Sequence, residues 1–409
     1  MKRRRILFVC RASSSESARS AQALAALDNV EVVTTDVADA EQVIAAAVEV
    51  QDLDRIVTTY ETLLEAVAKA NEALKLPGMS VEVVRRALDK DQLKSALKAA
   101  GINTPQHRVV ASFAEAQRFA REIRFPLVLK SLSGSGALAT FHVQSEDDLK
   151  NATQMGPLLA ETYITGQELC IDTITINGEP QFYSLCCYQP SILEAVEDPA
   201  TQWSCVMPRD IDGAEYKEFI AQGLKAIKAL RIENAMTHME GFIDSSGEAW
   251  FTDATLRPAG ARIAPMLAFA YDIDPYRAWA RVAVDGCFDG PWERKYAVGT
   301  IFLRGLGSGT VCQVSGVELV QQEFSDMLVD VRWPRAGAGK SATYTGDGFI
   351  TVRHQETQVV QETLQRIGQL IQITYSSNTQ PATETWRQRL KNFSELNRPA
   401  WDISSEFNL

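Results

Sequence analysis

The sequence lacks the features that define several broad classes. No apolar run approaches the ~20 residues that span a bilayer. The seven cysteines (10, 170, 186, 187, 205, 287 and 312) include no Cys-x-x-Cys and stand close to none of the four histidines. Neither a disulfide framework nor a zinc site follows from that spacing, and an odd number of thiols fits a reducing cytoplasm. Positive charge is also in short supply: 41 Lys and Arg face 52 Asp and Glu, for a net charge of -11. An extended nucleic-acid surface needs clustered cations, and the one basic cluster, residues 2–5, is short and terminal. That cluster and the following Ile6–Cys10 imitate a signal peptide, but the apolar stretch stops at Arg11, short of the roughly 7–15 residues of an h-region. A β-strand is expected there, in a soluble, cytoplasmic protein that engages neither membrane nor nucleic acid.

What is present is 409 residues with 45% hydrophobic composition, enough for two or three domains with real cores. No internal repeat appears, so organisation comes from alternating patterns. Ile6–Cys10, Val30–Thr34 and Asp54–Thr58 are β-rich, and Ser15–Leu27, Ala38–Glu49 and Tyr60–Leu74 are helical. This βαβαβα order predicts a doubly wound parallel sheet over residues 1–86. From 87 to 157 the pattern gives a helix from Lys90 to Gly101, a helix at Phe113–Glu122 and the strand Leu127–Lys130. From 158 to 375 it becomes mostly antiparallel, with Asn177-Gly178 as a hairpin turn and a long helix at Ala214–Leu230. Residues 376–409 read as a polar tail. The expected class is α/β followed by α+β.

Four features carry chemistry. Lys130 ends an apolar strand just before Ser133, Gly134, Ser135 and Gly136. Backbone N–H groups of such a turn approach phosphate oxygens closely, and the lysine adds charge at the same place, although a plain hairpin reads equally well. Glu161 and Glu168 flank a short connection that offers polar groups to a nucleotide base and ribose, or is merely a solvated loop. Glu240 and Asp253 fall on neighbouring strands, followed by Thr255 and Arg257-Pro258. Side by side, the two carboxylates repel unless a hard cation such as Mg²⁺ sits between them; the alternative is a metal-free salt bridge from Arg257 to Asp253. Arg257 has the forked geometry for a substrate carboxylate or an oxyanion. Lys90 opens a helix, where the macrodipole disfavours a cation, so a distant anion explains it better than helix stability does; exposed lysines are nonetheless common. His238 shares a strand face with Glu240 and either lines the pocket or is a satisfied structural histidine. Trp203 lies in the segment Gln189–Asp210, read as a substrate-facing loop or as a surface excursion with Trp203 packed on the lobe.

Taken in order, Lys90, Lys130 with its glycine loop, Glu161-x₆-Glu168, and Glu240 with Asp253-x-Thr255-x-Arg257-Pro resemble the ATP-grasp superfamily over about residues 85–375. More narrowly they resemble its carboxylate–amine ligases of the L-amino-acid ligase type, in which a Glu is followed thirteen residues on by Glu-x-Asn-x-Arg-Pro. Here the interval from Glu240 to Asp253 is also thirteen. The resemblance implies a two-lobed ATP-grasp fold: a small lobe at 87–157 with the glycine loop, and a large lobe at 158–375 with the metal and substrate site. It implies that Lys90, Lys130 and the Ser133–Gly136 loop contact ATP phosphates, that Glu161 and the backbone near Ile164 hold adenine, and that Glu168 takes the ribose. Glu240 and Asp253 would ligate Mg²⁺, for which Mn²⁺ would also serve, with Thr255 in the place of a third ligand, and Arg257 would hold the acyl phosphate. Ser131 replaces a usual proline, Asp253 a glutamate and Thr255 an asparagine, and the last two put a second metal position in doubt.

The implied reaction is phosphoryl transfer from ATP to a carboxylate, followed by attack of an amine, giving an amide, ADP and phosphate. The partners are small-molecule acids and amines, and a homodimer is compatible with the sequence. Competing readings are another ATP-grasp reaction, of the carboxylase or nucleotide-precursor type, and an ATP-binding regulatory module.

Overall fold

Short β-branched runs separated by alanine-rich stretches give the first layer of a computed structural model, which describes residues 3–10, 15–37, 39–50, 52–132 and 140–377. Strand β1 (Arg4–Val9), helix α1 (Ser15–Ala25), strand β2 (Val30–Thr35), helix α2 (Ala40–Glu49) and strand β3 (Leu53–Val57) lead through a tight turn at Glu61–Leu63 into α3 (Leu64–Leu74). The three strands are parallel in the order β2-β1-β3, as the alternating pattern requires. Helix α4 (Val81–Leu88), capped by the Ser80 hydroxyl, was not anticipated.

Helix α5 (Lys90–Ala99) begins where Asp89 accepts hydrogen bonds from Asp91 and Gln92 amides. Strand β4 (His107–Val110), helix α6 (Phe113–Ile123), strands β5 (Leu127–Lys130) and β6 (Thr140–Val143), helix α7 (Glu146–Ala152) and strand β7 (Leu158–Thr162) follow. The small antiparallel sheet has the order β4-β7-β5-β6. Sequence reasoning began the large lobe at residue 158, but β7 pairs on both sides within the small sheet, with Glu161 opposite His107 and Val128.

The chain then crosses through residues 163–166 to β8 (Gln167–Ile176) and β9 (Glu179–Gln189). Asn177 and Gly178, with φ of 50° and 78°, make the two-residue turn whose twist matches the strands. Helix α8 (Ile192–Glu197), strand β10 (Trp203–Met207), helix α9 (Ala214–Ala229), strands β11 (Ala235–Ile243) and β12 (Ala249–Thr255), and helices α10 (Ile263–Tyr271) and α11 (Pro275–Asp285) come next. Strands β13 (Ala297–Leu303) and β14 (Ser308–Ser315), helix α12 (Val317–Phe324), strands β15 (Leu328–Arg332) and β16 (Gly348–His354), helix α13 (Thr357–Leu370) and β17 (Gln372–Ser377) complete it. Eight strands form the large sheet in the order β12-β11-β8-β9-β10-β13-β16-β15.

The segment Gln189–Asp210 is therefore not a loop. Five apolar or small residues in alternation put β10 in the sheet between β9 and β13, and Trp203 is fully buried, 5.0 Å from the ring of Phe302. One face of the sheet packs on α10 and α11, the other on α9 and α13. Where β11 and β12 shift register after Glu240, a Cβ on Gly241 would lie 2.1 Å from the Trp250 carbonyl oxygen and 3.0 Å from Phe219. Only glycine fits between a backbone and an aromatic ring at that distance. Gly241→Ala is expected to destabilise the chain by about 1–3 kcal/mol, read as a lower midpoint in urea denaturation with unchanged slope.

Candidate active site

A cavity of about 630 Å³ lies between the small sheet, one face of the large sheet and the turn after β3, a volume in the range of small-molecule sites. Its floor follows from strand register. Glu240 is directly opposite Asp253 and His238 opposite Thr255, and with side chains alternating every two residues all four share one face. On β8, Glu168, Cys170 and Asp172 pair with Phe242, Glu240 and His238 and continue that face.

Cations converge on Asp253. Lys90 Nζ is 2.9 Å from its Oδ1 and Lys130 Nζ 2.8 Å from its Oδ2. The distant anion invoked for Lys90 is thus Asp253, and Arg257 does not take that place. Lys130 also meets Glu161 Oε2 at 3.1 Å, while Lys94 reaches Glu161 Oε1 at 2.7 Å and the Thr252 carbonyl oxygen at 2.5 Å. Sequence reasoning missed Lys94, which is completely buried. The signal was there: it follows Lys90 by one helical turn and sits within the Leu93/Leu97 stripe. Burial, offset in part by Glu161, pulls its pKa down to about 8. Burial works against ionisation of Asp253 too, but Lys130, Lys90 and Lys94 overcome it and hold that carboxyl well below its ordinary value. The Glu161 side chain is thus engaged by two lysines, and the connection that contains Tyr163 and Ile164 lines the cavity beside it.

Glu168 is buried and accepts a hydrogen bond of 2.6 Å from the Ile192 amide at the start of α8; burial and nearby Glu240 push its pKa well up. Glu240 accepts from the Tyr188 hydroxyl at 3.1 Å and faces His238 Nε2 at 3.3 Å. His238 Nδ1 lies 3.0 Å from Asp172, and although burial opposes its charge, Cys170 and Asp172 hold its pKa well above the ordinary value. Trp203 lines the cavity floor with its indole nitrogen buried and without a hydrogen-bond partner. Ser133, Gly134, Ser135 and Gly136 lie outside the described residues.

The donor set fits a hard divalent cation. Two opposed carboxylates, each about a quarter exposed, face the cavity, and the Thr255 hydroxyl beside them is buried with no partner. Arg257 points instead at the N-terminal layer, where its Nη2 is 3.0 Å from Glu61 Oε2. Nothing in the local sequence around Glu61 marks it; only the packing of the turn after β3 against the end of β12 brings it to the cavity.

Removing one partner of a buried ion pair leaves a bare charge. Glu161→Gln is expected to cost about 3–5 kcal/mol, with the Glu161→Gln/Lys94→Met double variant recovering part of the loss in a denaturation cycle. Between about pH 8 and 10.5 the unfolded chain keeps the Lys94 proton that the folded chain has released, so this residue's contribution to stability rises with pH there. The stability of wild type relative to Lys94→Met is expected to increase from pH 7.5 to pH 10 in urea titrations.

Comparison with known proteins agrees with this geometry. Residues 5–78 match the ATP-grasp N-terminal domain and residues 89–177 the carbamoyl-phosphate synthase L chain ATP-binding domain. The chain is 24% identical over 264 residues to alanine–anticapsin ligase of Bacillus subtilis, covering 57% of this chain and 55% of that protein. It is 24% identical over 270 residues to an L-arginine-specific L-amino acid ligase of Bacillus subtilis, covering 63% and 64%. The chain thus spans between about half and two thirds of the length of these relatives. Among solved structures, an L-amino acid ligase from Bacillus licheniformis superposes with a TM-score of 0.74 at 21% identity, covering 92% of this chain and 100% of that one. N5-carboxyaminoimidazole ribonucleotide synthetase from Thermotoga maritima gives 0.70 at 17% identity, covering 91% and 100%. Two domain models thus match in chain order within residues 5–177, and the chain has the ATP-grasp fold.

Proposed function

We propose that the chain is an ATP-dependent carboxylate–amine ligase that forms an amide bond through an acyl phosphate and releases ADP and phosphate. The observation that carries the reading is the opposed Glu240/Asp253 pair with Lys90 and Lys130 gathered on it and Arg257 just beyond, all facing one cavity. Similarity to two amino acid ligases supports small amino acids as substrates.

In this reading Lys90 and Lys130 turn from Asp253 to the ATP phosphates, the connection at Ile164 receives adenine, and Glu168 receives the ribose. Glu240, Asp253 and Thr255 would hold Mg²⁺, with Mn²⁺ as a substitute, which when bound neutralises charge between the phosphates. Arg257 donates to the carboxylate of the acid and then to the oxyanion formed as the amine attacks. A carboxylate is inert to amines until activated, and the acyl phosphate must be kept from water, so a buried, lobe-enclosed cavity suits the reaction. Glu61 beside Arg257 gives the site a charge pair complementary to a zwitterion: the arginine for the acid's carboxylate, the glutamate for its ammonium group. His238, fixed by Asp172, and Trp203 form the cavity wall that the substrates meet. The same reading divides the chain into an N-terminal layer, a small lobe and a large lobe, and keeps it in the cytoplasm.

A panel of amino acids with ATP and Mg²⁺ is expected to release ADP and phosphate only when acid and amine are both present, with the amide detected by mass spectrometry. Release of AMP instead, or tight ATP binding without turnover across the panel, would remove the ligase reading. Arg257→Lys keeps charge but loses the fork, and is expected to lower kcat/KM by about a hundredfold or more while ATP affinity stays within a factor of about two.

A further inference from the structure

A second cavity, of about 430 Å³, lies on the far side of the Glu61–Arg257 pair. It is bounded by the outer edge of β3, by α3 and the start of α4, and by β11 and α11. Because β3 is an edge strand, its outer backbone groups need partners. Asn71 supplies them: its Oδ1 accepts from the Ile56 amide at 3.3 Å and its Nδ2 donates to the Ile56 carbonyl at 3.0 Å. The edge is thereby closed to strand addition, and the space beside it is shaped for a small molecule.

Part of the wall is apolar, with Val67, Met236, Leu256, Trp279 and Val282 among its residues, and Arg55, Arg231 and Glu233 bring charge to it. Arg55 is half-buried, and burial together with Arg4 depresses its pKa. The carboxylate that acts on it, Asp285, is taken by Arg4 at 2.6 Å and Arg281 at 2.9 Å. Among the described residues, no carboxylate lies within ion-pair distance of the Arg55 guanidinium. A half-buried guanidinium beside an apolar stretch of cavity wall suits a ligand with a planar anionic fork and a hydrophobic body. Of the two exposed charged residues that also line the cavity, Arg231 and Glu233, the glutamate disfavours a second negative charge on the ligand.

We propose that this cavity is a second small-molecule site, which takes a monocarboxylate with an apolar aryl or branched-alkyl body and seats its carboxylate on Arg55. The site is distinct from the candidate active site yet adjoins it. Leu64 and Leu256 line this cavity, while Glu61, one helical turn before Leu64, and Arg257, next to Leu256, line the other and pair with each other.

Phenylacetate serves as probe, with 2-phenylethanol as its uncharged counterpart, in isothermal titration calorimetry on the full chain. Phenylacetate is expected to bind once per chain, with equal affinity in the presence of saturating ATP and in Arg257→Lys. Arg55→Gln is expected to weaken phenylacetate about tenfold or more while leaving 2-phenylethanol unchanged. Ala283→Phe, which fills the cavity from α11, is expected to abolish binding of both; thermal melting checks its fold, and the Arg55→Gln result stands without it. No binding to wild type, equal affinity for Arg55→Gln and wild type, or displacement by ATP would each overturn the proposal, the last by assigning the probe to the larger cavity. None of these readouts depends on turnover, so failure of the ligase reading leaves them intact.

Discussion

Three lysines and two carboxylates, drawn from five positions on four elements, form the network on which the rest of the site depends. Lys90 and Lys94 come from α5, Lys130 from β5, Glu161 from β7 and Asp253 from β12, with contacts of 2.7 to 3.1 Å. The small sheet and the large sheet share no strand, so this buried ion-pair cluster is the electrostatic bond between them. Its formal sum is one positive charge, in a chain whose net charge is -11. An anion placed beside Lys90 and Lys130 meets that positive charge, while Glu61, Glu168 and Glu240 line the same cavity. Such a cluster is costly to break and contributes little to net stability against an apolar substitute, so its presence is better explained by what it binds than by what it stabilises.

The same face of the large sheet sets its carboxylates to opposite tasks. Asp253, beside three ammonium groups, stays ionised, while Glu168, buried near Glu240 and capped only by the Ile192 amide, is pushed toward its protonated form. Two carboxyl groups on one sheet face are thus shifted in opposite directions by environment alone. The register between β11 and β12 makes this possible, because a slip of one residue would turn Glu240 and Asp253 to the opposite face.

Much of this was legible from residue order. Period-two alternation placed Glu240, Asp253 and His238 on one face, and the unfavourable position of Lys90 at a helix start pointed to a distant anion, found in Asp253. The three-stranded parallel layer followed from its alternating pattern. The rest depends on contacts that local sequence does not encode. Glu61 and Arg257 are 196 residues apart and meet only through packing of the N-terminal layer. Lys94 resembles any solvated helical lysine until β7 places Glu161 over it. Trp203 and its neighbours were misread as a loop because the flanking Pro190, Asp198, Pro199 and Pro208 suggest turns, whereas β9 and β13 recruit the five residues between them into the sheet.

The cysteines that first excluded a disulfide or zinc framework acquire a different meaning in the fold. Five of the seven are buried, and Cys170, Cys186 and Cys205 occupy adjoining strands of the large sheet on the face that bears Glu240. Cys170 pairs with Cys186, Cys205 with Tyr188, and Cys205 Sγ lies 3.6 Å from Met266 Sδ on the covering helix α10. Buried thiols pack as small, polarisable hydrophobes. Together with Trp203 and Phe302 they form a buried cluster on the same sheet face as the carboxylates. Such surroundings strengthen the charge interactions beside them, including those of Lys90, Lys130 and Arg257.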